Sequence, residues 1–372
     1  MTTRIKFNNS KQKDFYATLK TRVDDYFTAS GKSKNANGHM IFKTIFILSV
    51  TVGSYLLLIL ANYSLPVMFL LWSVLGIFTA FIGLNICHDA IHGAYSKNEK
   101  VNKYLGLLFN LIGANAYNWN IMHNVVHHSF TNIEGHDEDI QSVPILRMSP
   151  HQELWKIHRY QHIYVFALYA LASLSWVFSK DYVKFFKAKI GNYDNRHRPR
   201  KEYYNLFGFK LLYYALYIAV PLLVIDFAWW QILLGFLVMH VFEGLTLAIV
   251  FALAHVVEGT DFPLPDEKGR IENSWAVHQM YTTANFANNS FLATFFCGGL
   301  NFQIEHHLFP RICHVHYKDL SRIVENTAKE FGLPYIHNPS FLGAIGSHTR
   351  FLRELGRKEH LVAPQVETRL SA

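Results

Sequence analysis

Cysteine is nearly absent from this 372-residue chain: Cys87, Cys297 and Cys313 stand apart, none in a CxxC pair. That excludes a disulfide framework and a cysteine-based structural zinc module, and it fits chemistry on the side of a reducing compartment. Acidic residues are also short, 27 against 35 Lys and Arg, which gives a formal net charge of +8. Such an excess can serve nucleic acid, but here the basic residues flank apolar runs instead of covering a polar domain. Anchoring at a membrane surface is therefore expected, and no nucleic-acid partner. The first residues lack a short basic stretch followed at once by an apolar core and a small-residue cleavage site, so no removable signal peptide is expected. Fixed-period repeats and low-complexity tracts are missing as well.

What the chain has in abundance is apolar and aromatic side chains, 51% and 15% of its residues. Four runs, at about 40–61, 65–86, 207–225 and 227–253, approach the 20 residues that cross a hydrocarbon core. Lys and Arg crowd the outer flanks of both pairs. The connecting tips, Asn62-Tyr63-Ser64 and the region of Asp226 with Trp229 and Trp230, carry no basic residue. The positive-inside rule then places four spans in two hairpins, with both termini cytoplasmic. Two shorter apolar stretches, about 104–117 and 163–178, read as interfacial segments. A crossing at 163–178 would put Lys180, Lys184, Lys187, Lys189, Arg196, Arg198, Arg200 and Lys201 outside, against the rule. The expected architecture is an all-α integral membrane protein: a cytoplasmic N-terminal segment (1–39), a membrane domain with a helical cytoplasmic cap (40–335) and a cytoplasmic tail (336–372).

Histidine carries the chemistry. His88 and His92 are four residues apart, as are His123 and His127, with His128 adjacent; Gln303, His306 and His307 form a third cluster, and His255 closes the fourth run. On an α-helix His123 and His127 would share a face and His128 would point about 100° away, a strip able to serve two metal ions. Neutral imidazole suits iron, zinc, copper or nickel, and a buried set of imidazoles gains little without a metal. Any single histidine is more often a hydrogen-bonded or surface residue, but three clusters at apolar helix ends are a different matter. Four spans bring all of them to one face. Asp89 and Glu305, inside clusters, are candidate acceptors for the second ring N–H of liganding histidines, with Asn124, Asp137 and Asp139 behind them. His240 lies deeper in its run and reads as a packing or substrate-tunnel residue. His278 is a weaker metal candidate, and His136, His151, His158 and His162 are left unassigned.

The boxes HDAIH, HNVVHH and QIEHH, the last within GGLNFQIEHHLFP, resemble the three histidine boxes of membrane fatty acid desaturases, over about residues 40–335. The resemblance implies two irons held almost wholly by histidine and O2 as co-substrate for removing two hydrogens from an unactivated acyl chain. It also implies that His88, His92, His123, His127, His128, His306 and His307 are ligands and that His255 matches the extra histidine after the last span. Gln303 stands where many members have histidine, a departure similar to the front-end (delta-5 or delta-6 type) desaturases, and is a site residue whose direct ligation stays open. The haem-binding HPGG motif of a fused cytochrome b5 is absent, so electrons are expected from a separate ferredoxin or cytochrome b5-type protein. An acyl group on CoA or lipid is the expected substrate. The alternatives are a related di-iron hydroxylase or ketolase, which would share the boxes, and a histidine-rich metal transporter, which would spread its ionisable residues along the spans.

Overall fold

The computed structural model describes residues 5–8, 12, 14–141 and 143–357. Its helices, in chain order, begin with α1 (Asp14–Ser30), α2 (Gly38–Leu60), α3 (Leu65–Ile91), α4 (Glu99–Leu111) and α5 (116–130). A bent pair follows, α6 (Lys156–Ala170) and α7 (Ala172–Phe186), and then α8 (Arg200–Val224) and α9 (Trp229–His255). Five shorter elements complete the chain: α10 (Trp275–Thr282), α11 (Phe291–Phe296), α12 (Gln303–Leu308), α13 (Tyr317–Glu330) and α14 (Phe341–Leu355). Among the described residues, strand structure is limited to three two-residue ladders.

Helices α2, α3, α8 and α9 are long and apolar enough to cross a membrane. They run past the bounds expected from hydropathy: α3 continues through His88 to Ile91, α8 starts at Arg200, and α9 ends on His255. Their starts follow ordinary capping chemistry, as where the Asn37 side chain accepts from the Met40 N–H and where Pro66 opens α3. Large apolar side chains such as Phe42, Ile45, Leu57, Leu70, Leu211 and Leu223 are exposed on these helices. That suits a hydrocarbon surround and would be a liability in water. Helices α3 and α9 pack closely because glycine removes the obstruction. A Cβ on Gly76 would lie 2.1 Å from the Met239 carbonyl oxygen, and one on Gly235 would lie 2.2 Å from the Trp72 ring. The same use of small residues brings membrane helices together generally.

The two stretches expected to be interfacial fall on elements of different kinds, and the second lies in a bent helix pair that together is long and apolar enough to be a broken span or a re-entrant loop. Residues 104–117 cover most of α4, 13 residues long and too short to span, and the start of α5. Residues 163–178 straddle the α6–α7 junction, which bends by 57°.

The polar flanks read from the sequence, 1–39 and 336–372, are not appendages in their described parts. Phe15, Leu19, Val23 and Phe27 of α1 share a core with Leu320, Val324 and Ala328 of α13 and with Phe302, Ile304 and Leu308 around α12. Leu352 and Leu355 of α14 pack with Val165 and Tyr169 of α6. Near the ends of α3 and α9 that carry histidine, Leu84, Val250 and Leu253 share a core with Phe286, Leu300 and Ala344.

Candidate metal centre

Eight histidines from four separate elements meet here. His88 and His92 come from the end of α3, His123, His127 and His128 from α5, His255 from the last position of α9, and His306 and His307 from α12. The ring nitrogens of His88, His92, His123 and His306 lie within 4.8 Å of one another, and those of His127, His255 and His307 do the same. His128 stands between the two groups, stacked at 4.3 Å on the His307 ring and 4.6 Å from that of His306.

The middle box departs from the simple helical reading. Residues Asn120–His127 form a π-helical turn, and the His128 N–H bonds to the His123 carbonyl five residues back. The widened turn brings His128 Nε2 to 3.2 Å from His123 Nε2, where an α-helix would have rotated it about 140° away. His123 and His127 still stack, with ring centroids 5.2 Å apart; each belongs to a different one of the two imidazole groups, and the two also form a donor set with Asp139. A second π-helical stretch, Ile82–Cys87, leads into the first box.

The polar atoms sort into an outer set that is bonded and an inner set that is not. On the outside, Asp137 receives His127 Nδ1 at 3.0 Å and Gln279 Oε1 receives His307 Nδ1 at 2.7 Å. The Tyr317 hydroxyl lies 3.2 Å from His306 Nδ1, and the Thr282 carbonyl lies 3.3 Å from His255 Nδ1. On the inside, Nε2 of His88, His92, His127, His306 and His307 and Oε1 of Gln303 are buried without a hydrogen-bond partner. Gln303 Nε2 lies 3.0 Å from His255 Nε2. So many buried, unpartnered lone-pair atoms facing one another are costly in an empty core and are what metal ions would satisfy, so the residues fit the expected metal.

Electrostatics prepares most of the rings as ligands. Burial first, and crowding by neighbouring imidazoles second, hold His92, His123, His128, His306 and His307 well below the ordinary imidazole range. These rings are neutral with a lone pair available. His127 is the exception: burial pushes it down, but the charges of Asp137 and Asp139 outweigh burial and raise it to about 9.

The acceptors expected from the sequence are placed differently from one another. Asp137 holds a cluster histidine, and Asp139 lies 3.5 Å from His127 Nδ1 and 3.7 Å from His123 Nδ1. Asp89 faces His88 Nδ1 at 3.7 Å but is bonded to His314 at 2.9 Å. Glu305 turns from the imidazoles and accepts from Asn285 and Tyr335, each at 2.8 Å, and burial raises its carboxyl to about 7. Asn124 donates to the Ile91 carbonyl, joining the first two boxes through the backbone. His278 lies outside the cluster and donates to the Thr131 carbonyl, while His240 bonds Ser173 and Tyr213. Gln279, Tyr317, Thr282 and His314 went unread in the sequence. Only Gln279 had a signal there, as the neighbour of His278.

Four apolar helices, two of which end on cluster histidines, together with two adjacent imidazole groups define a helical membrane protein able to hold metal ions. The family described as fatty acid desaturase matches residues 64–339. An sn-1 linoleoyl-lipid 6-desaturase from Synechocystis is 38% identical over 357 residues, covering 95% of this chain and 98% of that one. An acyl-lipid (8-3)-desaturase from Physcomitrium patens is 35% identical over 95% of this chain and 74% of its own. A probable Delta(5) fatty acid desaturase from Dictyostelium discoideum is 32% identical over 95% of this chain and 78% of its own. The chain belongs to the fatty acid desaturase family and is an oxidoreductase that acts on fatty acyl chains.

Proposed function

We propose that the chain is a front-end acyl-lipid desaturase that inserts a cis double bond toward the carboxyl end of an already unsaturated acyl chain. The observation that carries the metal assignment is the set of inward, unpartnered Nε2 atoms in two adjacent groups. His88, His92, His123 and His306 would hold one iron, and His127, His255 and His307 the other. His128 would lie between them and Gln303 Oε1 beside the second. The iron pair would supply the oxidising power, drawn from O2, that an unactivated C–H bond requires and that imidazole and carboxylate lack. Removal of two hydrogens from the chain, with two external electrons and two protons, balances reduction of O2 to two waters. The electrons would come from a ferredoxin or cytochrome b5-type donor, and the basic segment after α7 suits an acidic partner.

The chain's own residues bind, orient and exclude water. Four spans in two hairpins, with the histidine end and both termini cytoplasmic, would place the site at the membrane surface. Each methylene leaving water contributes ~0.8 kcal/mol, so an apolar cleft holds an acyl chain and sets which carbons reach the site. A small cleft of about 20 Å³, lined by Gly83, Phe109, Ile112, Trp176, Val177 and Leu247 together with the polar Ser173 and Glu243, would have to open to admit an acyl chain. Phe109 meets Trp119 at 5.5 Å, and Trp119 stacks on His123 at 4.3 Å. Trp119 thus links a residue of this cleft to the imidazoles. Front-end selectivity and the lipid carrier are supported by Gln303 and by the similarity to the Synechocystis sn-1 linoleoyl-lipid 6-desaturase.

Expression in a host without polyunsaturated lipids, followed by mass spectrometric location of new double bonds, tests the proposal. A new double bond on the carboxyl side of an existing one is expected. Hydroxylated chains alone, or bonds only on the methyl side, would overturn it.

A further inference from the structure

Outside the two imidazole groups, Asp89, Cys313 and His314 form another compact, buried set of metal-type donors. The Nζ of Lys43 already fills the place a cation would take. Lys43 Nζ lies 2.8 Å from His314 Nε2 and 5.0 Å from the centre of the Phe295 ring. Lys43 is 1% exposed and sits on α2, where a buried charge is costly and is retained only with a partner.

The bond from Lys43 fixes the tautomer of His314. With Nε2 accepting from the ammonium, Nδ1 carries the hydrogen and donates to Asp89 Oδ2 at 2.9 Å; the His314 backbone N–H donates to the same oxygen at 3.1 Å. The other carboxylate oxygen, Oδ1, faces His88 Nδ1 at 3.7 Å, and that nitrogen has no hydrogen-bond partner. A line of four side chains therefore runs from α2 to the first histidine box: Lys43, His314, Asp89, His88.

A carboxylate behind a ligating histidine orients the ring and makes it a stronger donor to the metal. Here the carboxylate is shared with an imidazole that is itself tied to a positive charge. We propose that Lys43 and His314 are positioning residues that withdraw charge from Asp89, limit electron donation by His88, and so keep the metal centre easier to reduce. The inference rests on the assignment of His88 as an iron ligand. It gives the lone charge of the first apolar helix a role in electron uptake, with no contact to the reacting atoms.

The test is spectroelectrochemical titration of the full-length, iron-loaded protein in lipid nanodiscs, together with iron content and KM for the acyl substrate. K43M is expected to keep its iron and its KM while its reduction equilibrium becomes less favourable. Loss of one elementary charge in surroundings of effective dielectric ~20 corresponds to roughly tenfold, or ~59 mV for one electron. K43R is expected to match the unsubstituted chain, and H314Q, which cuts the line while leaving the ammonium, to shift in the same direction as K43M. An unshifted potential in K43M with iron bound would overturn the proposal. If K43M loses iron, H314Q decides by the same criterion, and loss of iron from both with membrane insertion intact would make the role structural and overturn it. Failure of the unsubstituted chain to bind iron would overturn the metal assignment itself, an outcome visible before any substitution.

Discussion

Gln303 Nε2 lies 3.0 Å from His255 Nε2, so the amide covers the lone pair with which His255 would reach a metal. His255 Nδ1 is directed at the Thr282 carbonyl at 3.3 Å, and Gln303 Oε1 is buried without a partner. A half-turn of the amide would present the oxygen instead, placing one more hard donor beside His127, His255 and His307.

From this contact, Q303H is expected to keep its iron, because imidazole offers a nitrogen in the same place. Q303L, with similar bulk and no donor, is expected to lower metal affinity or activity by about 10 to 100-fold. Iron analysis of the purified variants checks both. Loss of iron from Q303H would mean that the amide acts by shape or hydrogen bonding and does not occupy a ligand position.

Asp137 is fully buried and accepts from His127 Nδ1 and from the backbone N–H groups of Asn132 and Asp139. Together with Asp139 it raises His127 to about 9, against the effect of burial. In the metal-free protein this ring is therefore protonated at neutral pH, and a metal must displace the proton. Affinity of the metal-free protein for Co2+ is expected to rise about tenfold per pH unit between pH 7 and 8.5, levelling off near 9. The sign for stability is the reverse: a raised histidine value stabilises the metal-free fold fully below the unfolded value and loses that contribution as pH passes 9. D137N should flatten the affinity slope, and an unchanged slope would show that another group supplies the proton.

The divide between what the sequence disclosed and what it concealed follows the range of the interactions. Apolar runs and HxxxH spacings are local, so the four long helices and all eight cluster histidines could be read directly. The partners that orient the rings are far away in the chain: Gln279 lies 28 residues from His307 and His314 lies 225 from Asp89. Glu305 was read as an acceptor because it adjoins His306, yet neighbours on a helix point to different sides, and its carboxylate meets Asn285 instead. The π-turn in Asn120–His127 was invisible for another reason: five-residue bonding leaves no distinct residue pattern, and the HxxxHH spacing fits both helices.

Gly298 joins the third box to the first through a contact that only glycine permits. Its φ is +67°, and a Cβ there would lie 2.2 Å from the Leu84 carbonyl oxygen, on the π-helical turn just before His88. G298A must therefore strain the backbone and push α3 from the loop that leads to α12. The variant is expected to insert in the membrane but bind less iron, with a lower thermal midpoint. Iron content equal to that of the unsubstituted chain would show that the loop can move without disturbing the histidines.

Lys210 and Asp181 form a buried ion pair at 2.8 Å, with side chains 4% and 0% exposed. The ammonium also donates to the Gly113 carbonyl, and the carboxylate accepts from the Trp176 indole at 3.0 Å. The Asp181 backbone carbonyl accepts from Asn118, one residue before Trp119. The pair thus ties α8 and α7 to the start of α5, on which the second box sits. Removing one partner leaves an uncompensated buried charge, so K210M should destabilise the protein by about 3 to 5 kcal/mol. Replacing both, as in K210M with D181L, removes that charge and should recover much of the loss while leaving Asn118 its backbone acceptor. Thermal unfolding of the two variants in the same lipid checks this. A double variant no more stable than K210M would show that the hydrogen bonds to Gly113 and Trp176, and not the paired charges, hold these helices together.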